Sequence, residues 1–149
     1  MNDAAHDINA LLRARLPAGV PLQIPPPCLL DMQGEPVNYV EGRSLAMRFP
    51  VLPRYQNPIG HMQGGFIVAA LDNTLGPFSY LIAPPSVTTS LNTQYLRPVP
   101  QEMPHIVCHA RLVERTRTQL FLAGEVRDEA GRVLAMCQAV CQILPQKAG

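Results

Sequence analysis

At 149 residues the chain has the length of one domain of ordinary size, able to bury a proper core. Apolar residues make up 47% of it, which excludes a disordered polymer. The formal net charge of +1 leaves no electrostatic case for nucleic acid or an acidic membrane surface.

From the start, Ile8, Leu11, Leu12 and Leu16 fall at helical spacing and predict a helix over 3–16. Asp3 suits its cap, Arg13 and Arg15 suit its C-terminal end, and Pro17 stops it. Early acids, Asp3 and Asp7, and the lack of an apolar run exclude a signal peptide. The plainer reading is a helix docked on the body; the functional one is a lid near a site. Residues 17–27 form a proline-rich, extended connector that tethers this helix. The chain is therefore read as one domain over 1–149, with a helix and connector at 1–27 and a core at 28–145.

Cys28-Leu29-Leu30 and residues 37–40 are short extended candidates, with turns at Gly34 and Gly42. Residues 44–49 alternate Leu45, Met47 and Phe49 against Ser44, Ala46 and Arg48, a strand pattern. Residues 50–58 read as a loop, since Pro53 and Pro58 oppose regular structure. Asn57 stands in that loop, where asparagine is a common turn residue.

Asn57-Pro58-Ile59-Gly60-His61-Met62-Gln63-Gly64-Gly65 then runs as a glycine-rich loop into a helix, apolar on nearly every side from Phe66 to Leu75. Gly76-Pro77 is expected to end it after about three turns, well short of the ~20 residues of a membrane span. That makes it the buried central helix. Gly64 and Gly65 let another group approach the backbone, and the first amides of a helix lack internal partners. They are a candidate cradle for an anion or a polarised carbonyl oxygen. Asp72 is the only charge in the helix, and a buried carboxylate normally has a partner or a task. Gly65 and Asp72 share nearly one face but lie about 10 Å apart along the axis. A general base must come within roughly 3 Å. If both serve one site, Asp72 should come from a second copy of the chain. His61 lies in the same loop, where it could act as acid or base. Gln63, directly before the glycines, can donate through its amide and is favoured over His61.

Four strands follow the turn at Ala83-Pro84-Pro85. Residues 86–96 alternate Val87, Thr89, Leu91, Thr93 and Tyr95 against Thr88, Ser90, Asn92 and Gln94. Residues 106–113 place Ile106, Cys108, Ala110 and Leu112 together, and 119–126 place Leu120, Leu122 and Val126 together. Residues 133–144 form a long apolar strand with Gln138 and Gln142 on one side. Asp128-Glu129-Ala130-Gly131 is a hairpin loop. His105 and His109 share a face, without an acidic partner in register, and read as structural. The pattern is an α+β arrangement, an antiparallel sheet of five to six strands curled around a central helix, plus the N-terminal helix. Cys28, Cys108, Cys137 and Cys141 lack metal-type spacing; Cys137 and Cys141 sit ~13 Å apart at strand rise. They read as small apolar residues, consistent with a reducing cytoplasm.

Asn57, a short loop, Gly64-Gly65, an apolar helix with Asp72, and the block from Val87 to Pro98 resemble the hotdog-fold acyl-CoA thioesterases, in the phenylacetate-pathway and 4-hydroxybenzoyl-CoA branch. The resemblance covers about 43–144. It implies a hotdog fold, a homodimer or dimer of dimers, and hydrolysis of an acyl-CoA thioester in a groove between protomers. It implies a carbonyl held by Gly64 or Gly65 and Asp72 of the partner protomer as base or nucleophile. Asn57 and Thr88 would place water and substrate; a turn role for Asn57 and a strand role for Thr88 stand beside this. The family's commoner pattern has a histidine where this chain has Gln63. No cofactor is implied, since coenzyme A is part of the substrate. Arg97, Arg111, Arg115 and Arg117 are candidates for its phosphates, against an ordinary solvated face. Phe66, Leu75 and Phe78 line the acyl pocket or belong to the core. The alternatives are a hotdog hydratase or dehydratase, which needs a positioned histidine, and a non-catalytic acyl-CoA binding module.

Overall fold

The computed structural model describes residues 7–19 and 21–146. Helix α1 (Ile8–Arg15) and a short α2 (Pro27–Asp31) precede strands β1 (Glu35–Val40) and β2 (Ser44–Pro50). The long helix α3 (Gly64–Ile82) comes next. Strands β3 (Ser86–Tyr95), β4 (His105–Arg115), β5 (Gln119–Arg127) and β6 (Val133–Ile143) complete the chain. They build one sheet in the order β1-β2-β4-β5-β6-β3, antiparallel at every step. The sheet wraps α3, which touches β2, β3, β4 and β5. This is the expected α+β hotdog arrangement.

The strand alternations explain the wrap. Ile106, Cys108 and Ala110 of β4 and Leu120, Leu122 and Val126 of β5 are all buried, and they meet Leu71, Leu75 and Phe78 of α3. Each such large side chain contributes ~1.5–3 kcal/mol by leaving water. Gly124 of β5 sits where the helix comes closest. A β-carbon there would lie 2.7 Å from Cys137 Sγ and 3.2 Å from Leu71 Cδ2. All four cysteines are free thiols, Cys28 exposed and the other three buried.

Four local expectations are corrected. Helix α3 does not stop at Gly76-Pro77 but runs through Pro77 to Ile82. Proline removes one internal hydrogen bond, at ~3 kcal/mol or more; burial of Phe78, Ser79 and Leu81 on the last turns offsets it. At 19 residues and a mean hydropathy of 1.2, α3 is long and apolar enough to cross a membrane, but its inner face is packed against the sheet. Cys28-Leu29-Leu30 is helical rather than extended, because Pro27 at its start suits the first turn of a helix. The loop over 50–58 contains a 3-10 turn, Pro53–Tyr55, again with proline at its start.

The fourth correction concerns β3. Its pairing with β6 shifts between Thr88 and Ser90, a bulge at Thr89. Thr88 pairs with Cys141, whereas Leu91, Thr93 and Tyr95 pair with Ala139, Cys137 and Ala135. All four β6 partners are buried. The bulge thus puts Thr88 on the helix-facing side with Leu91, Thr93 and Tyr95, reversing the simple alternation.

At the N-terminus α1 docks on α3 through buried Ile8 and Leu12. Asp7 caps it, its carboxylate accepting from the Ala10 amide at 3.1 Å; the expected cap, Asp3, lies outside the described residues. Arg15 donates to the Leu81 carbonyl and Arg13 to that of Ile24 at 2.7 Å, fastening helix and connector to the body.

Candidate active site

The loop that leads into α3 is held by its own asparagine. Asn57 Oδ1 accepts from the amides of Ile59 at 3.1 Å and His61 at 3.0 Å, and the Asn57 amide donates to the His61 carbonyl at 2.7 Å. Farther along, the amides of Met62 and Gln63 donate to the carbonyls of Val99 and Tyr55 at 2.9 and 2.8 Å. Tyr55 is itself fixed. Its ring stacks on Phe66 with centroids 4.1 Å apart, and its hydroxyl donates to Asp31, which Arg54 also engages. The Tyr55 hydrogen bond, with Arg54 beside it, holds the Asp31 carboxyl below its ordinary value, while burial and Asp31 push the Tyr55 phenol up.

Gln63 starts α3 without capping it through its side chain. Its carbonyl accepts from the amides of Phe66 and Ile67 at 3.0 and 3.2 Å. Among the described residues the amides of Gly64 and Gly65 have no partner within the chain. They sit at the positive end of a 19-residue helix and can hold an oxygen that carries partial negative charge. Gly65 is exposed and faces open space, whereas Gly64 lies under Tyr95.

Two turns on, Asp72 is exposed, on the flank of α3 that faces Thr88 of β3. Its burial was expected and is not found: in one chain it opens onto a cleft. Thr88 Oγ1 donates to Asp72 Oδ1 at 3.4 Å, a long bond, and stands 3.9 Å from Cys141 Sγ. The bulge in β3 is what aims Thr88 at the carboxylate. Burial chiefly, with a smaller contribution from Asp72, pushes the Cys137 thiol up to about 11. Such thiols stay protonated at neutral pH.

Asp72 and Thr88 lie in the wall of a cleft of about 620 Å³. Its other walls are Asn73, Gly76, Pro77, Ser79 and Tyr80 of α3, and α1, the connector and α2. Local pattern does not outline it, beyond the reading of the N-terminal helix as a lid, because it forms where the N-terminal segment meets the second half of α3. Phe66, Leu75 and Phe78 are not part of it; Leu75 and Phe78 are core.

The predicted site residues therefore fall into two groups. Asn57, His61, Gln63, Gly64 and Gly65 gather at the helix start, and Asp72 and Thr88 gather at the cleft. One chain does not bring the groups together in one cavity. Asn57 has a turn function in full view, since its side-chain oxygen is used by the loop. Tyr95, whose hydroxyl donates to the Gly64 carbonyl at 3.0 Å, was missed; its place at the far end of a strand gives no local signal. The histidines of β4 do have acidic neighbours. His105 Nε2 lies 3.3 Å from Glu129, and His109 pairs across strands with Glu125. Arg97 and Arg115 are tied to the carbonyls of Val133 and Ile82, at 2.6 and 2.9 Å.

Comparison with known proteins bears on the family and the fold. A family profile described as the thioesterase superfamily matches residues 59–135, more than half of the chain. A Deinococcus radiodurans protein provisionally named an esterase is 28% identical over 97 residues, 62% of this chain. The match spans 60% of that relative's own length. A phenylacetic acid degradation-related protein of Ralstonia eutropha superposes with a TM-score of 0.75 at 24% identity, over 91% of this chain and 98% of that one. The E. coli PaaI protein from the phenylacetic acid degradation operon gives 0.77 at 11% identity, over 93% and 96%. A Streptococcus mutans protein bound to acetyl-CoA gives 0.71 at 16% identity, over 89% and 100%.

Proposed function

The chain belongs to the thioesterase superfamily, and from that premise we propose that it hydrolyses acyl-CoA thioesters to a free acid and coenzyme A. The observation that carries this is the pair of unpartnered Gly64 and Gly65 amides on the same helix as an exposed carboxylate, Asp72. The acetyl-CoA in the Streptococcus mutans neighbour supports the ligand class.

The thioester carbonyl accepts from the Gly64 or Gly65 amide, which also holds the oxyanion that forms as the carbonyl carbon is attacked. Asp72 takes the proton of an attacking water. The C–S bond then breaks, the thiolate leaves, and the proton returns from Asp72 to sulfur. In the nucleophilic route Asp72 attacks first, and water then cleaves the mixed anhydride. Thr88 orients the carboxylate or the water. About 10 Å of helix separates the glycines from Asp72, so the working site pairs the glycines of one protomer with Asp72 of another. The enzyme in this reading is a homodimer, alone or paired into a tetramer, and works in the cytoplasm, where free thiols persist.

The test is release of free thiol from a panel of aryl and aliphatic acyl-CoAs, with Asp72→Asn beside the wild type. A loss of ~10²-fold or more supports Asp72 as base or nucleophile. Equal rates move the role elsewhere, and tight binding without turnover marks a binding module. Single turnover in heavy-oxygen water separates the two routes, since only the nucleophilic one loads label into Asp72.

A further inference from the structure

The cleft beside Asp72 is larger than an acetyl group needs, and its chemistry is one-sided. The N-terminal segment supplies Leu12, Leu16, Leu22, Ile24, Leu29 and Leu30. Leu22 and Leu30 are 43% and 58% exposed, so apolar surface is left uncovered at the rim. Among the described residues no lysine, arginine, histidine or glutamate lines the cleft, and Asp72 is the one charge there. Resting on the thioesterase reading, we infer that this cleft holds the acyl group, and that the group is bulky, apolar and uncharged at its far end, on the order of ten carbons.

Three arguments converge on that occupant. A methylene fills roughly the ~30 Å³ of a liquid water, so ten carbons need roughly 300 Å³; the cleft of about 620 Å³ takes them and still leaves an entrance. A second carboxylate at the chain end would find no cation and would share the cleft with Asp72, which rejects dicarboxylic half-esters. The Asp72–Thr88 pair lies at the wall, so an acyl chain in the cleft brings its carbonyl end to the carboxylate.

The experiment compares acetyl-, decanoyl- and ω-carboxydecanoyl-CoA on the full chain, in wild type, Leu22→Trp and Leu30→Trp. Both leucines are already exposed, so the fold tolerates the larger ring, and a melting curve checks this. Each buried methylene contributes roughly fourfold. Decanoyl-CoA is therefore expected to exceed acetyl-CoA in kcat/KM by at least ~100-fold, and its ω-carboxy analogue by at least ~10-fold. The tryptophan variants should lose the decanoyl preference, decanoyl turnover falling at least ~10-fold more than acetyl turnover. A flat profile, a preference for the acetyl or ω-carboxy ester, or equal losses on all esters in the variants overturns the inference while leaving thioester hydrolysis intact. If no ester is turned over, the hydrolase reading fails instead. Calorimetric binding of decanoyl- against acetyl-CoA, in the same three proteins, then decides what the cleft holds.

Discussion

The Tyr95 hydroxyl donates to the Gly64 carbonyl at 3.0 Å, and the ring that carries it occupies the space a Gly64 side chain would take. A β-carbon on Gly64 would lie 2.9 Å from the Tyr95 oxygen and 3.0–3.2 Å from ring carbons. Gly64→Ala should therefore destabilise by ~1–3 kcal/mol, the range for overpacking. Gly65→Ala, which meets open space, should not. Tyr95→Ala in the Gly64→Ala background should recover part of the loss. Urea midpoints for these three variants, Tyr95→Ala alone and the wild type test this, and simple additivity of the Gly64 and Tyr95 changes would rule out the contact.

Sharing of the site between protomers has its own signature. Gly65→Pro deletes one amide at a helix start, where proline is tolerated, and Asp72→Asn deletes the carboxylate. Each homodimer should be inactive. Mixed dimers have one site with both lesions and one intact, so co-expression should restore roughly a quarter of the sites. No recovery would place glycines and carboxylate in one chain's site.

The thiols should divide by burial. Cys28 is exposed, while Cys108, Cys137 and Cys141 are buried, with their thiols pushed upward mainly by that burial. At about pH 8 an aromatic disulfide reagent should titrate one thiol per chain quickly and the other three only after unfolding. Cys28→Ser should abolish the fast phase and leave the rest.

Acid should weaken the loop that sets the helix start. Asp31 ionises below its ordinary 3.8 in the folded chain, chiefly through the Tyr55 hydrogen bond. In that window the unfolded chain binds more protons, so stability falls as pH drops through the folded value. His109, lowered mainly by burial, behaves alike at higher pH, and its share is lost below about 6.5. Unfolding midpoints should hold steady between about pH 7 and 8, decline below 6.5, steepen below 4, and fall again above about 9, where the three thiols raised by burial ionise first in the unfolded chain. Asp31→Asn or Tyr55→Phe should flatten the acid limb; an unchanged limb would assign it to other groups.

The sheet and the helix start were legible because they depend on local pattern. Leu120, Leu122 and Val126 alternate as a buried strand must, and Gly64-Gly65 before an apolar run marks a helix whose first amides are bare. What was hidden depends on contacts between distant segments. Pro77 continues the helix only because Phe78 and Leu81 have a core to enter. The bulge at Thr89 is invisible without β6 beside it, yet it decides that Thr88 meets Asp72. Asp72 looked buried because its helix neighbours are apolar, but one step along the helix turns the side chain by about 100°, from fully buried Leu71 to exposed Asp72.

The cleft also divides the chain's labour. Its outer wall comes from residues 8–36, all of which precede the stretch 59–135 that matches the thioesterase family. The glycine amides, Asp72 and Thr88 all lie inside that stretch. In the proposed enzyme the bond-breaking groups thus lie in one part of the polypeptide, and much of the acyl wall in the part before it. On that reading, exchange of the preceding segment should retarget the enzyme without touching the groups proposed to break the bond.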